Sequence, residues 1–166
     1  KVYEFDVAGL VPQVARPHTV ENVAAANTLR AVRVDQGFIG TCTNGRLSDF
    51  AEAARILRAH PVKKGVRLIV APASTAIYLE AVRKGFIDTF VRAGAVVVAP
   101  GCGPCVGTHN GVLADGEVAI STANRNFKGR MGNPEGFIYL ASPATVAASV
   151  VTGVITDPRR FMRKRT

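Results

Sequence analysis

Two continuous apolar runs, residues 66–71 (Arg67 apart) and 95–99, constrain the fold of this chain more than any other feature. Both are short, rich in Val and Ile or Ala, and separated by stretches with helical spacing. Strands that are apolar without alternation are buried on both faces, which is the pattern of parallel strands joined by helical crossovers.

The rest of the chain extends this alternation. Residues 34–41 make a short extended run, and residues 47–60 carry Leu47, Phe50, Ala54 and Leu57 at helical spacing behind Ser48 or Asn44 as a cap. Pro72 stops the strand 66–71, a helix over 74–84 closes at Gly85, and a shorter one over 87–92 ends at Gly94. A last strand spans 118–122, and a helix of small residues spans 143–153. With 166 residues and 48% hydrophobic content, one core of ordinary size is expected. The prediction is an α/β domain, a three-layer sandwich around a mostly parallel sheet, over residues 31–166. Residues 1–30 read differently: Pro12, Pro17 and a helix from about Val20 predict an N-terminal arm packing on a neighbour. The chain opens at Lys1 without Met, in mid-pattern, so a piece of something longer is expected.

The chain has three cysteines, Cys42 within Gly40-Thr41-Cys42-Thr43-Asn44-Gly45 and the pair in Gly101-Cys102-Gly103-Pro104-Cys105. Each group directly follows a predicted strand, as does Asn124-Arg125. In open parallel sheets ligands bind beyond the carboxyl ends of the strands, so these segments are expected to share one edge. Three soft ligands suit a cubane iron–sulfur cluster with one iron open to substrate, a Lewis acid. Two other chemistries are consistent with the local sequence. A Cys-x-x-Cys redox pair would need to open a helix with a low-pKa first cysteine, and Cys42 argues against it. A tetrahedral zinc site could take three Cys with His109, although His109, like His18 and His60, reads on its own as an ordinary loop residue.

Charge supplies a competing signal, a formal +9, because a basic surface is the footprint of nucleic-acid binding. Five of these cations, Arg159, Arg160, Arg163, Lys164 and Arg165, sit in the tail, and others are scattered over helical faces at Arg55, Arg58, Lys63, Lys64, Arg83 and Lys84. No aromatic stacking series or nucleic-acid-binding motif accompanies them, so a solvated surface is the better reading. No apolar run approaches the roughly 20 residues of a membrane-spanning helix, and the N-terminus lacks the order of a signal peptide. An odd cysteine count suits a reducing compartment, and a cytoplasmic location is expected.

Taken together, the runs Gly40-Thr41-Cys42-Thr43-Asn44, Gly101-Cys102-Gly103-Pro104-Cys105-Val106-Gly107 and Asn124-Arg125-Asn126-Phe127-Lys128-Gly129-Arg130 resemble, in order and spacing, the motif segments of the aconitase superfamily. Residues 12–18 and 139–143 bring the resemblance nearest to the large subunits of 3-isopropylmalate dehydratase and homoaconitase. It covers essentially the whole chain and implies the cluster-bearing third domain of such a subunit. By that resemblance Cys42, Cys102 and Cys105 are the ligands of a [4Fe-4S] cluster with one open iron. Thr43, Asn44 and Asn124 support the cluster, and Arg125 and Arg130 grip substrate carboxylates in the two-pronged way a guanidinium allows. The implied reaction is isomerisation of a 2-hydroxy acid by dehydration and rehydration, on 2-isopropylmalate or, in homoaconitase, on homocitrate and homoaconitate. Implied partners are a small subunit carrying the swivelling domain with the serine base, and N-terminal domains of the large subunit; the fragment alone is predicted inactive. A zinc-binding structural module and an RNA-binding protein are the alternatives from other classes.

Overall fold

The computed structural model describes residues 1–162. Arg163, Lys164 and Arg165, part of the basic tail, lie outside the described residues. Among the described residues seven strands form one sheet: β1 (Gln13–Ala15), β2 (Val23–Ala25), β3 (Gln36–Gly40), β4 (Arg67–Ala71), β5 (Val96–Val97), β6 (Val118–Ser121) and β7 (Phe137–Leu140). Their order is β2-β1-β7-β6-β3-β4-β5, with β3 to β7 parallel and the β1/β2 hairpin antiparallel. Helices α1 (Leu47–Leu57), α2 (Thr75–Arg83), α3 (Phe86–Arg92) and α5 (Pro143–Thr152) and the single turn α4 (Gly103–Val106) complete the fold.

Side chains alternate across the sheet. Ile39, Leu68, Val70 and Ile120 join the core made with α1, α2, α3 and α5, while Phe38, Ile69, Ala71, Ala119 and Ile138 join a second core on the opposite face. Both faces are therefore covered, as continuous apolar strands require. The second cover is irregular chain carrying α4, Leu113 and Met131, in place of a second layer of long helices. α5 is apolar nearly all round because it is buried between α1 and the sheet. Its N-terminus is closed by Ser142, whose Oγ accepts the Thr145 N–H at 3.2 Å.

Four local expectations are corrected. The helix expected from Val20 is instead β2 followed by a 3-10 turn at Ala26–Thr28, because pairing with β1 and burial of Val14 override local preference. The cap of α1 is neither Ser48 nor Asn44: Arg46 occupies that position, and Asp49 accepts its N–H at 3.0 Å. The apolar run 95–99 is a strand over Val96–Val97 alone among the described residues, at the edge beside β4, with the Val98 N–H donating to the Val70 carbonyl at 2.9 Å. β7, where Tyr139 lies, has no counterpart in the sequence reading.

Candidate metal centre

The strand order reverses at β3. The chain moves outward through β4 and β5 on one side, then places β6 and β7 on the other. At such a reversal the loops leaving neighbouring strands diverge and open a crevice at the carboxyl edge. Cys42 lies on the loop leaving β3 and Asn124 on the loop leaving the neighbouring strand β6. The loop after β5 folds back over the second face, so that Cys105 packs in the cluster of Phe38, Ala71 and Met131. All three cysteines are free thiols, with Cys42 and Cys102 exposed and Cys105 buried.

The Cys42 loop is held in a conformation that a β-branched residue rarely adopts. Thr41 has φ +91°, an arrangement costing on the order of 1–3 kcal/mol that persists only where the surroundings over-determine it. They do so here. Thr41 Oγ1 accepts the N–H groups of Thr43 (3.3 Å) and Asn44 (3.1 Å), and the Gly45 N–H donates to the Thr41 carbonyl at 3.0 Å. Thr122 Oγ1 both accepts the Gly40 N–H (2.9 Å) and donates to the Gly40 carbonyl (3.0 Å). Gly45 packs backbone to backbone on the end of β4: a Cβ there would stand 2.7 Å from the carbonyl oxygens of Ala71 and Thr41.

This loop is then tied to the one after β6. The Asn124 amide donates to Thr43 Oγ1 at 2.9 Å, and the Asn44 amide donates to the Thr122 carbonyl. Thr43, Asn44 and Asn124, expected together from the sequence, are brought together. Arg125 is exposed, and among the described residues its guanidinium bonds only the Asn124 carbonyl, at 3.1 Å. Arg130 instead turns toward the thiols, its Nη2 donating to Cys105 Sγ at 3.1 Å with the guanidinium 6.0 Å from the Phe127 ring.

Around the cysteine pair, Cys102 precedes α4, Pro104 lies in its first turn, and Gly107 ends it at φ +70°. Gly107 lies directly on the backbone of Met131 and Gly132, with no room for a Cβ, and this seats the cysteine turn against the segment carrying Arg130. Burial pushes the Cys105 thiol up; Arg130 pulls it down, and charge on Cys102 and Cys42 would raise it further.

His109 is exposed, with its ring over Gly103 where a Cβ would clash and its Nδ1 3.0 Å from the Asn110 amide. His18 packs on Phe137 and His60 on Phe161, away from the cysteines. Among the described residues no three His, Cys, Asp or Glu side chains lie close enough to hold a single metal ion. One tetrahedral zinc would require thiolates about 4 Å apart. A cubane binds each thiolate through a different iron, so its sulfurs stand further apart. Three free thiols on loops that leave one edge of the sheet, one of them already accepting a guanidinium N–H, fit the cubane donor set. The sequence reading missed Thr41, Thr122 and Asn126; their roles depend on bonds spanning up to 110 positions, and only the run Asn124-Arg125-Asn126 marked the place.

Comparison with known proteins agrees with this geometry. Residues 7–153 match the model of the aconitase family (aconitate hydratase). The chain is 63% identical over 158 residues to 3-isopropylmalate dehydratase large subunit 2 of Archaeoglobus fulgidus, covering 95% of the chain and 38% of that relative. It is 58% identical to 3-isopropylmalate dehydratase large subunit 1 of Thermotoga maritima, over 96% of the chain and 38% of the relative. It is 54% identical to a Methanosarcina mazei protein named "Probable methanogen homoaconitase large subunit", over 97% of the chain and 40% of that protein. The chain thus spans about two fifths of the length of these relatives.

Proposed function

This chain belongs to the aconitase family, and on that footing we propose that it is the cluster-holding part of a hydro-lyase large subunit that interconverts 2-isopropylmalate and 3-isopropylmalate by dehydration and rehydration. The reading is supported by three free thiols on loops that leave β3 and β5 at the carboxyl edge of the sheet, with the Cys42 loop bonded through Thr43 to Asn124 and the Cys105 sulfur bonded to Arg130. Cys42, Cys102 and Cys105 would hold a [4Fe-4S] cluster. When bound through three thiolates, such a group supplies one iron with an open position, a Lewis acid for a hydroxyl and an adjacent carboxylate.

The chain's own residues have distinct tasks. Arg125 is exposed and, among the described residues, bonded only to its own loop, which leaves donors to grip a substrate carboxylate through two parallel hydrogen bonds. Arg130 gives Nη2 to the Cys105 sulfur, which offsets the cost of burying charge there and leaves its remaining N–H groups for a second carboxylate oxygen. Asn124, Thr43 and Asn44 hold the Cys42 loop and the Arg125 loop in one register. The proton on the carbon next to the hydroxyl is assigned to a base on a small subunit, the partner suggested by the relatives' designation as large subunits.

A homoaconitase activity is the second reading, favoured by the 54% identity to the Methanosarcina protein. Anaerobic reconstitution with iron and sulfide tests the shared core of both: about four irons per chain are expected, as a cubane requires, and loss of uptake in Cys105→Ser. One tightly held zinc per chain with no iron uptake would refute it. Turnover of 2-isopropylmalate against homocitrate by the enzyme assembled with its small subunit separates the two activities.

A further inference from the structure

The residues on either side of Arg125 each pin its loop, and only the first of the two reaches a cysteine loop. The first is Asn124 on Thr43. The second is Asn126, 1% exposed, whose amide Nδ2 donates to the carbonyls of Arg16 (2.8 Å) and Thr19 (3.3 Å) in the turn of the β1/β2 hairpin. Arg125 stands between the two pins. The turn is itself braced: the Asn22 amide donates to the Pro17 carbonyl at 3.1 Å, the Arg16 guanidinium donates to Asn22 Oδ1, and the Arg16 N–H donates to the Asn22 carbonyl at 2.8 Å.

Asn126 is also costly to keep. Among the described residues its Oδ1 is buried with no partner, and so is Nδ1 of His18 in the hairpin turn. An unmatched buried acceptor costs roughly 1–3 kcal/mol, which an apolar side chain of similar shape would not incur. What an apolar residue lacks is the pair of N–H donors that fasten this loop to the hairpin.

From this geometry we infer that Asn126 is a positioning residue that sets Arg125 for carboxylate binding by clamping its loop to the hairpin turn. The hairpin thereby becomes part of the site's scaffold. The inference rests on the role proposed for Arg125, and the test separates the two.

The experiment uses the full large subunit assembled with its small subunit, with the cluster reconstituted. Asn126→Ala is expected to raise KM for the hydroxy acid about tenfold, the equivalent of two modest hydrogen bonds, with iron content unchanged. Calorimetric binding of the substrate to the cluster-free protein should weaken by a similar factor. In an Arg125→Lys background the same substitution should add almost nothing, because both changes act through one guanidinium. Full additivity, or wild-type KM in Asn126→Ala, would overturn the inference. Wild-type kinetics in Arg125→Lys alone would instead refute the role of Arg125. Should Asn126→Ala not fold, Asn22→Ala at the partly exposed brace of the turn replaces it: a smaller rise in KM, again absent in the Arg125→Lys background, is expected, and an unchanged KM refutes the clamp.

Discussion

Gly107 and Gly116 offer a paired test of how the cysteine turn is seated. Both have left-handed backbones, φ +70° and +75°. A methyl group on Gly116 would meet nothing within 4 Å, whereas one on Gly107 would overlap the backbone of Met131 and Gly132. Gly116→Ala should therefore cost only the left-handed penalty, about 1–2 kcal/mol. Gly107→Ala adds the displacement of the 129–132 segment, about 1–3 kcal/mol by the measure of overpacked cores, for a total of about 2–5 kcal/mol. In urea unfolding, with m about 2 kcal/mol/M for a chain of this size, the midpoint of Gly107→Ala should fall about 1 M below that of Gly116→Ala at equal m. Because the moved segment carries Arg130, Gly107→Ala should also lower iron uptake on reconstitution while Gly116→Ala leaves it unchanged. Equal midpoints for the two variants would show that backbone contact between Gly107 and Gly132 does not hold this turn.

Two further outcomes follow from the same structure. In the assembled, cluster-loaded enzyme, Arg125→Lys keeps the charge but loses the two-pronged geometry, so kcat/KM should fall about tenfold or more at unchanged iron content, measured by steady-state kinetics; unchanged kcat/KM refutes carboxylate binding there. The Glu117 carboxyl is held below its ordinary 4.5 first by its hydrogen bond to Arg67 and also by the Ala114 N–H. It binds fewer protons folded than unfolded, so its contribution is present above pH 4.5 and is lost as pH falls through the lower folded-state value. Arg67→Leu should flatten that acid limb by no more than about 1 kcal/mol, since the Arg67 side chain is 47% exposed; an unchanged pH profile of unfolding would contradict this.

Some of this protein is decided by short-range pattern. The runs at β3, β4 and β6 and helices α1, α2 and α5 follow from periodicity and from stops at Pro72, Gly85 and Gly153, which act within a few residues. Parallel strands all end on one edge, so the placement of Cys42, Cys102 and Asn124 beyond strand ends already brought their loops to one side of the sheet. The hairpin and β7 were not legible. Three- and four-residue strands have little signal of their own, and Val14 and Ile138 are committed to the sheet by burial against residues far along the chain. Tertiary structure alone decided that the loop after β5 folds back to bury Cys105, and that Arg130 faces a thiol while Arg125 bonds the carbonyl of Asn124. It alone holds Thr41 at φ +91°. Each of these depends on a bond or contact between segments distant in sequence, such as Thr122 with Gly40 or Asn126 with Arg16, and the free energy that selects it exists only once the sheet has brought those segments together.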